Sequence, residues 1–126
     1  MRTVTFDDID IVTTIESLDN QSVDRLPFGV VRLDDDGVVQ MFNVTEAELS
    51  GYGARPKLGK NFFLDIAPCM NTPEMRGRID TARKTGAVDI EIGWIGDFKD
   101  RDGELRIRAL SASSGGIWIL VSREND

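Results

Sequence analysis

The chain has 126 residues, 40% of them apolar and 29% charged, which suits one globular domain with its own core and excludes a disordered chain. A formal net charge of −7 excludes the clustered Lys and Arg surface that phosphate backbones require, so no nucleic-acid partner is expected. There is no histidine and one cysteine, Cys69, which excludes imidazole-based metal sites, Cys–His nucleophile pairs and an internal disulfide.

A reducing, cytoplasmic setting follows as an expectation. The opening residues, MRTVTFDDIDIVTTIESLD, carry no apolar stretch of the signal-peptide kind. No run approaches the roughly 18 apolar residues of a membrane span.

In chain order, residues 7–18 place Ile11, Ile15 and Leu18 at helical spacing behind acidic residues that suit a helix start. FGVVRL (28–33) and VVQMF (38–42) predict two strands joined by DDDG, in which Asp36-Gly37 is a hairpin signal. TEAEL (45–49) predicts a short helical turn capped by Thr45, with Gly51 beyond its end. LGKNFFLDIAP predicts a short helix broken by Pro68.

Thr72 then caps a helix whose first position is Pro73 and along one face of which Met75, Ile79 and Ala82 repeat, with Gly86 as its terminator. Three strands follow, 88–96, 104–110 and 116–122, with turns expected at Asp102-Gly103 and Gly115-Gly116. Helix, two strands, several helices and three strands imply an α+β domain: a five-stranded antiparallel sheet with helices packed on one face.

Few residues point to chemistry. Asp34-Asp35-Asp36-Gly37 lacks the alternating acids and the distal Glu of a calcium loop, so it reads as a solvated turn and no metal is expected. Gly51 and Gly53 lack the third Gly and the Lys-Ser/Thr of a phosphate loop. Trp94, Phe98 and Trp118 read as core packing or helix docking. Glu46, between Val44 and Leu49 at a helix start, reads as exposed by default; facing inward it would be neutral or paired. Cys69 taken alone is a small buried hydrophobe, but it stands directly before a capped helix, where amide dipoles favour a thiolate, and after a proline-stiffened apolar segment.

Three stretches resemble the photoactive yellow protein family, small blue-light receptors of the PAS superfamily. LPFGVVRLDDDGVVQMFNVTEAELSG is similar to that family's first hairpin and following helix, and WILVSR to its last strand. GKNFFLDIAPC is the most specific, because it is nearly identical to the family segment that ends in the chromophore cysteine. The resemblance implies a PAS-type fold in a single domain, with residues 1–25 as an N-terminal helical cap and 26–126 as the core. It implies 4-hydroxycinnamate (p-coumarate) bound as a thioester to Cys69, with Glu46 as the buried proton donor. Ser50 matches a supporting threonine, and Phe62, Ile66, Ala67 and Pro68 match pocket-lining positions.

Phe42 stands where the family has a tyrosine that donates to the phenolate, and Tyr52 where it has a shielding arginine. The implied function is light reception by trans–cis isomerisation and proton transfer from Glu46, with a separate downstream signalling protein as partner, in a monomer or weak homodimer. The competing reading is a PAS sensory or docking domain without chromophore that binds another small ligand or a partner protein. No enzyme activity is expected, since Cys69 has no histidine to serve as its base.

Overall fold

Each of the five strands finds its neighbours by antiparallel pairing, in the order β2-β1-β5-β4-β3. A computed structural model of the protein describes residues 5–49, 58–66, 71–97 and 102–123, with the backbone alone at 48, 49, 94–97, 102–105 and 123. The strands are β1 (Gly29–Leu33), β2 (Val39–Phe42), β3 (Asp89–Asp97), β4 (Asp102–Ser111) and β5 (Ile117–Arg123). The helices are α1 (Ile11–Glu16), α2 (Asn20–Asp24), α3 (Val44–Leu49) and α4 (Arg78–Thr85); wide turns of π type span Phe62–Ile66 and Pro73–Gly77, the second running into α4. The expected α+β architecture is the observed one.

The central strand β5 shows why both sheet faces are covered. Its side chains alternate, so Ile117, Ile119 and Val121 face one way and Trp118 and Leu120 the other. Against the first face pack Phe62, Phe63 and Ile66 from the first π-type turn, Met75 from the segment leading into α4, and Ile79 from α4. Against the second pack Phe6, Ile11, Ile15, Val23 and Leu26, so the N-terminal cap covers the face opposite to the later helices.

The second of these segments starts as its sequence predicts. Thr72 Oγ1 accepts from the Met75 amide at 3.3 Å, Pro73 holds the first position, and Gly86 ends α4 at φ 123°, a left-handed conformation that glycine tolerates. Two expected local signals fall elsewhere. Asp102-Gly103 is not a turn but the start of β4, paired with Asp97 and Gly96 at the end of the β3–β4 ladder. Thr45 does not cap α3; its hydroxyl donates to the main-chain oxygens of Leu26 and Asp24. The cap is Asn43, whose side-chain oxygen accepts from the Glu46 amide at 3.0 Å.

The acidic turn after β1 is held by its own carboxylates. Asp34 Oδ1 accepts from the amides of Asp36 and Val38 at 2.8 and 2.9 Å, and Asp35 accepts from the Gly116 amide at 3.0 Å. Among the described residues no group of His, Cys, Asp or Glu is arranged to hold a metal ion, and no helix is long and apolar enough to cross a membrane.

Polar contacts fasten the cap to its face of the sheet. Trp118 Nε1 and the Ser113 amide donate to Glu16 Oε2 at 2.9 and 3.0 Å. Arg108 donates to the main-chain oxygens of Phe6 and Asp8 at 2.7 and 3.0 Å. Arg106 bridges Asp7 and Glu91 and lies over the Phe6 ring, 5.0 Å from its centroid. The hydrogen bond from Arg106 holds the Asp7 carboxyl below the ordinary aspartate range. Partial burial pushes the Glu16 carboxyl up, but the hydrogen bonds from Ser113 and Trp118 outweigh it and leave the carboxyl below its ordinary range.

Candidate functional site

The segment that leads to Cys69 is set against the free edge of β2. Gly59 N donates to Val39 O at 2.9 Å, Val39 N to Lys60 O at 2.8 Å and Phe62 N to Gly37 O at 2.8 Å, so residues 59–62 run along β2 as a partial extra strand. Asn61 then starts the π-type turn. Its Oδ1 accepts from the amides of Phe63 and Leu64, its Nδ2 donates to Asp36 O, and its own amide donates to Asp65 Oδ2. This reciprocal arrangement resembles a capping box and fixes the turn at both its start and its fourth residue. Phe62, Phe63 and Ile66 consequently point into the core, while Leu64 and Asp65 stay exposed.

Of the residues singled out in the sequence, Phe62 and Ile66 are buried in one apolar cluster with Val31 and Leu33, and Phe42 packs against that cluster from the end of β2. Ser50, Tyr52, Ala67, Pro68 and Cys69 lie outside the described residues, as do Gly51, Gly53 and Phe98; Trp94 is described by its backbone in β3.

Glu46 is buried, 5% exposed, against the default for a helix-start glutamate. Its carboxyl rests on β1 where Gly29 has no side chain: a Cβ at residue 29 would run into Glu46 Oε1. Gly29 has the same strand parity as Val31 and Leu33, so the carboxyl lies on the face that also holds Phe62 and Ile66. The structure thus brings Phe42, Glu46, Phe62 and Ile66 to one side of the sheet.

Asn43 positions that carboxyl from behind. It is fully buried and uses all of its side-chain groups. Oδ1 accepts from Val30 N at 2.9 Å and Glu46 N at 3.0 Å; Nδ2 donates to Val23 O at 2.9 Å and Phe28 O at 3.2 Å. One side chain therefore joins the cap, β1 and the first turn of the helix that carries Glu46. Neither Asn43 nor Gly29 stood out in the sequence. The available signals were an Asn just before a helix and a glycine inside a strand run, which marks close approach.

No protein-family model matches the sequence. The chain is 31% identical over 124 residues to the photoactive yellow protein of Rhodothalassium salexigens, covering 98% of this chain and 99% of that one. It is 28% identical over 124 residues to the photoactive yellow protein of Halochromatium salexigens, with the same coverage. Among solved structures, the photoactive yellow protein domain from the sensor histidine kinase Ppr of Rhodospirillum centenum superposes with a TM-score of 0.81 at 33% identity, over 89% of this chain and 99% of that one. With a relative at this identity along nearly the whole length, and a fold that superposes on that of a solved member, the chain belongs to the photoactive yellow protein family of PAS-type photoreceptors.

Proposed function

We propose that this chain is a blue-light receptor that holds p-coumarate as a thioester on Cys69 and uses Glu46 as its buried acid. The observation that carries the reading is the burial of Glu46, with its carboxyl seated over Gly29 on the apolar face that Phe42, Phe62 and Ile66 share. Burial on an apolar face penalises the anion of a carboxyl, which favours the neutral acid that a proton donor needs. The site fits the chromophore on that ground.

When bound, p-coumarate supplies absorption of blue light and a double bond that isomerises. The thiolate of Cys69 supplies the covalent attachment, as the one thiol in the chain. Phe62 and Ile66, buried in one apolar cluster, keep water from that face, and Ala67 and Pro68 match the family's pocket-lining positions. Glu46 holds a proton on its carboxyl oxygen in the dark, and on illumination that proton would pass to the phenolate oxygen of the bound chromophore. Ser50 matches the family's supporting threonine and keeps its hydroxyl, and Tyr52 brings a ring in place of the shielding arginine. Phe42 has no hydroxyl, so it supplies no donor to a phenolate.

Charge developed at Glu46 has a route outward through α3 and Asn43 to the cap, from which a separate signalling protein reads the state. The solved relative that belongs to a sensor histidine kinase supports a partner of that class.

The missing hydroxyl at Phe42 favours a second reading, a PAS sensory domain that binds a different small ligand or a partner protein. One experiment separates them. Apoprotein treated with activated p-coumarate gains a single adduct by mass and a blue-absorbing band, both absent in Cys69→Ala. Wild-type protein that takes up no adduct refutes the photoreceptor reading and leaves the second.

A further inference from the structure

We infer that Gly29 is a positioning residue for Glu46: by carrying no side chain it leaves open, on the inner face of β1, the space in which the Glu46 carboxyl sits. The inference rests on the reading of Glu46 as the buried acid of a chromophore site.

Glycine inside a strand weakens it, through backbone entropy and the loss of a side chain to pack. Two reasons can place it there, and the structure separates them. A left-handed backbone is one; Gly29 has none, unlike Gly37, Gly59, Gly86, Gly115 and Gly116, so an alanine could adopt its conformation. Space is the other. A Cβ built on Gly29 would overlap Glu46 Oε1, and would lie 3.0 Å from Cδ and 3.1 Å from Cβ of the same residue. All three of the nearest atoms belong to Glu46. Gly93 in β3 gives the contrast, since a Cβ there would meet nothing within 4 Å.

The overlap is with the far end of a long side chain, and the 3.1 Å contact asks only a few tenths of an ångström of its base, which is held by α3 and by the Asn43 hydrogen bond to the Glu46 amide. An alanine at 29 is therefore accommodated by the carboxyl swinging out of its seat. β1 keeps its pairing with Val121 across residue 29, and the fold survives with its acid misplaced.

The test compares wild type, Gly29→Ala, Glu46→Gln and the double variant Gly29→Ala/Glu46→Ala. In the unloaded protein, the carboxyl-carbon NMR signal of Glu46, assigned by its loss in Glu46→Gln, is followed against pH beside the backbone amide spectrum. Gly29→Ala is expected to keep the folded amide pattern, to move the Glu46 signal, and to shift its titration midpoint towards that of an exposed glutamate. An unchanged Glu46 signal and midpoint in folded Gly29→Ala overturns the inference.

If Gly29→Ala does not fold, the double variant decides. Recovery of folding on removing the Glu46 carboxyl supports the seat, and failure to recover assigns the glycine to the backbone and overturns it. Loading with p-coumarate is scored separately. A wild type that takes no adduct ends the photoreceptor reading while the NMR result still judges Gly29. A wild type that loads normally, beside a Gly29→Ala variant with unchanged Glu46, ends the Gly29 inference alone.

Discussion

Replacing Asn43 by alanine should destabilise the domain by far more than the loss of a helix cap. The side chain is fully buried and makes four hydrogen bonds, two accepted from Val30 N and Glu46 N and two donated to Val23 O and Phe28 O. Val23 O keeps a second donor in the Leu26 amide at 3.2 Å, so truncation harms it least. The two amides have one hydrogen each and lose their acceptor. A buried polar group left unsatisfied costs about 1–3 kcal/mol, so two amides and the Phe28 carbonyl together give about 3–5 kcal/mol after some relaxation. That is a large share of the roughly 5–15 kcal/mol that holds a domain of this kind. Urea unfolding at neutral pH, with wild type and variant extrapolated at equal slope, measures it. A loss of about 1 kcal/mol or less, the typical worth of an N-cap alone, would refute the view that Asn43 joins three elements.

Other consequences can be checked as directly. The carboxyls of Asp7 and Glu16 lie below their ordinary values of 3.8 and 4.5, so their contribution to cap docking is complete above those values and is lost as pH falls through the lower folded-state ones. Trp118 emission in a Trp94→Phe background should therefore stay constant near neutrality and change below about pH 4; Glu16→Gln should remove much of that change, and an acid response unaltered by the substitution contradicts the assignment. Glu46→Gln should still form the Cys69 adduct but shift its colour and its recovery after light. A wild type that shows no light-induced loss of a protonated-carboxyl infrared band rules Glu46 out as donor. Phe42→Tyr restores a donor worth about 1.5–3 kcal/mol to a phenolate, which should lower the chromophore's acid–base midpoint by roughly 1–2 pH units. An unmoved midpoint means that residue 42 does not face the phenolic end.

The strands were legible because runs such as VVRL and IWILV are rich in β-branched residues and bounded by Asp-Gly and Gly-Gly turns. The start and end of the segment leading into α4 were equally plain, since Thr72, Pro73 and Gly86 each act within one turn of their own position. What escaped reading depends on residues far apart in the chain. Asp102-Gly103 carries the same local signal as Asp36-Gly37, yet pairing with Gly96 and Asp97 keeps it in a strand. Thr45 looks like a cap until Leu26 O, 19 residues away, takes its hydroxyl. The burial of Glu46 follows from a gap at Gly29, and no local pattern reports that two such residues meet. The face taken by the N-terminal cap is likewise a matter of tertiary contact, decided by Phe6 meeting Phe28 edge-on at 5.8 Å and by the arginines of β4.

Those arginines divide the hold on the cap into two kinds of grip. Arg106 takes a carboxylate, which a single substitution at residue 7 or a drop in pH removes. Arg108 takes the main-chain oxygens of residues 6 and 8, which every amino acid carries and which do not titrate in this range. Half of the fastening is thus written in the sheet and asks nothing of the side chains it holds. Those acceptors stay in place whatever side chain residue 8 carries, and a change at residue 108 strips both at once. At this contact the backbone of the cap sets the docking geometry, and the strand beneath it supplies the grip.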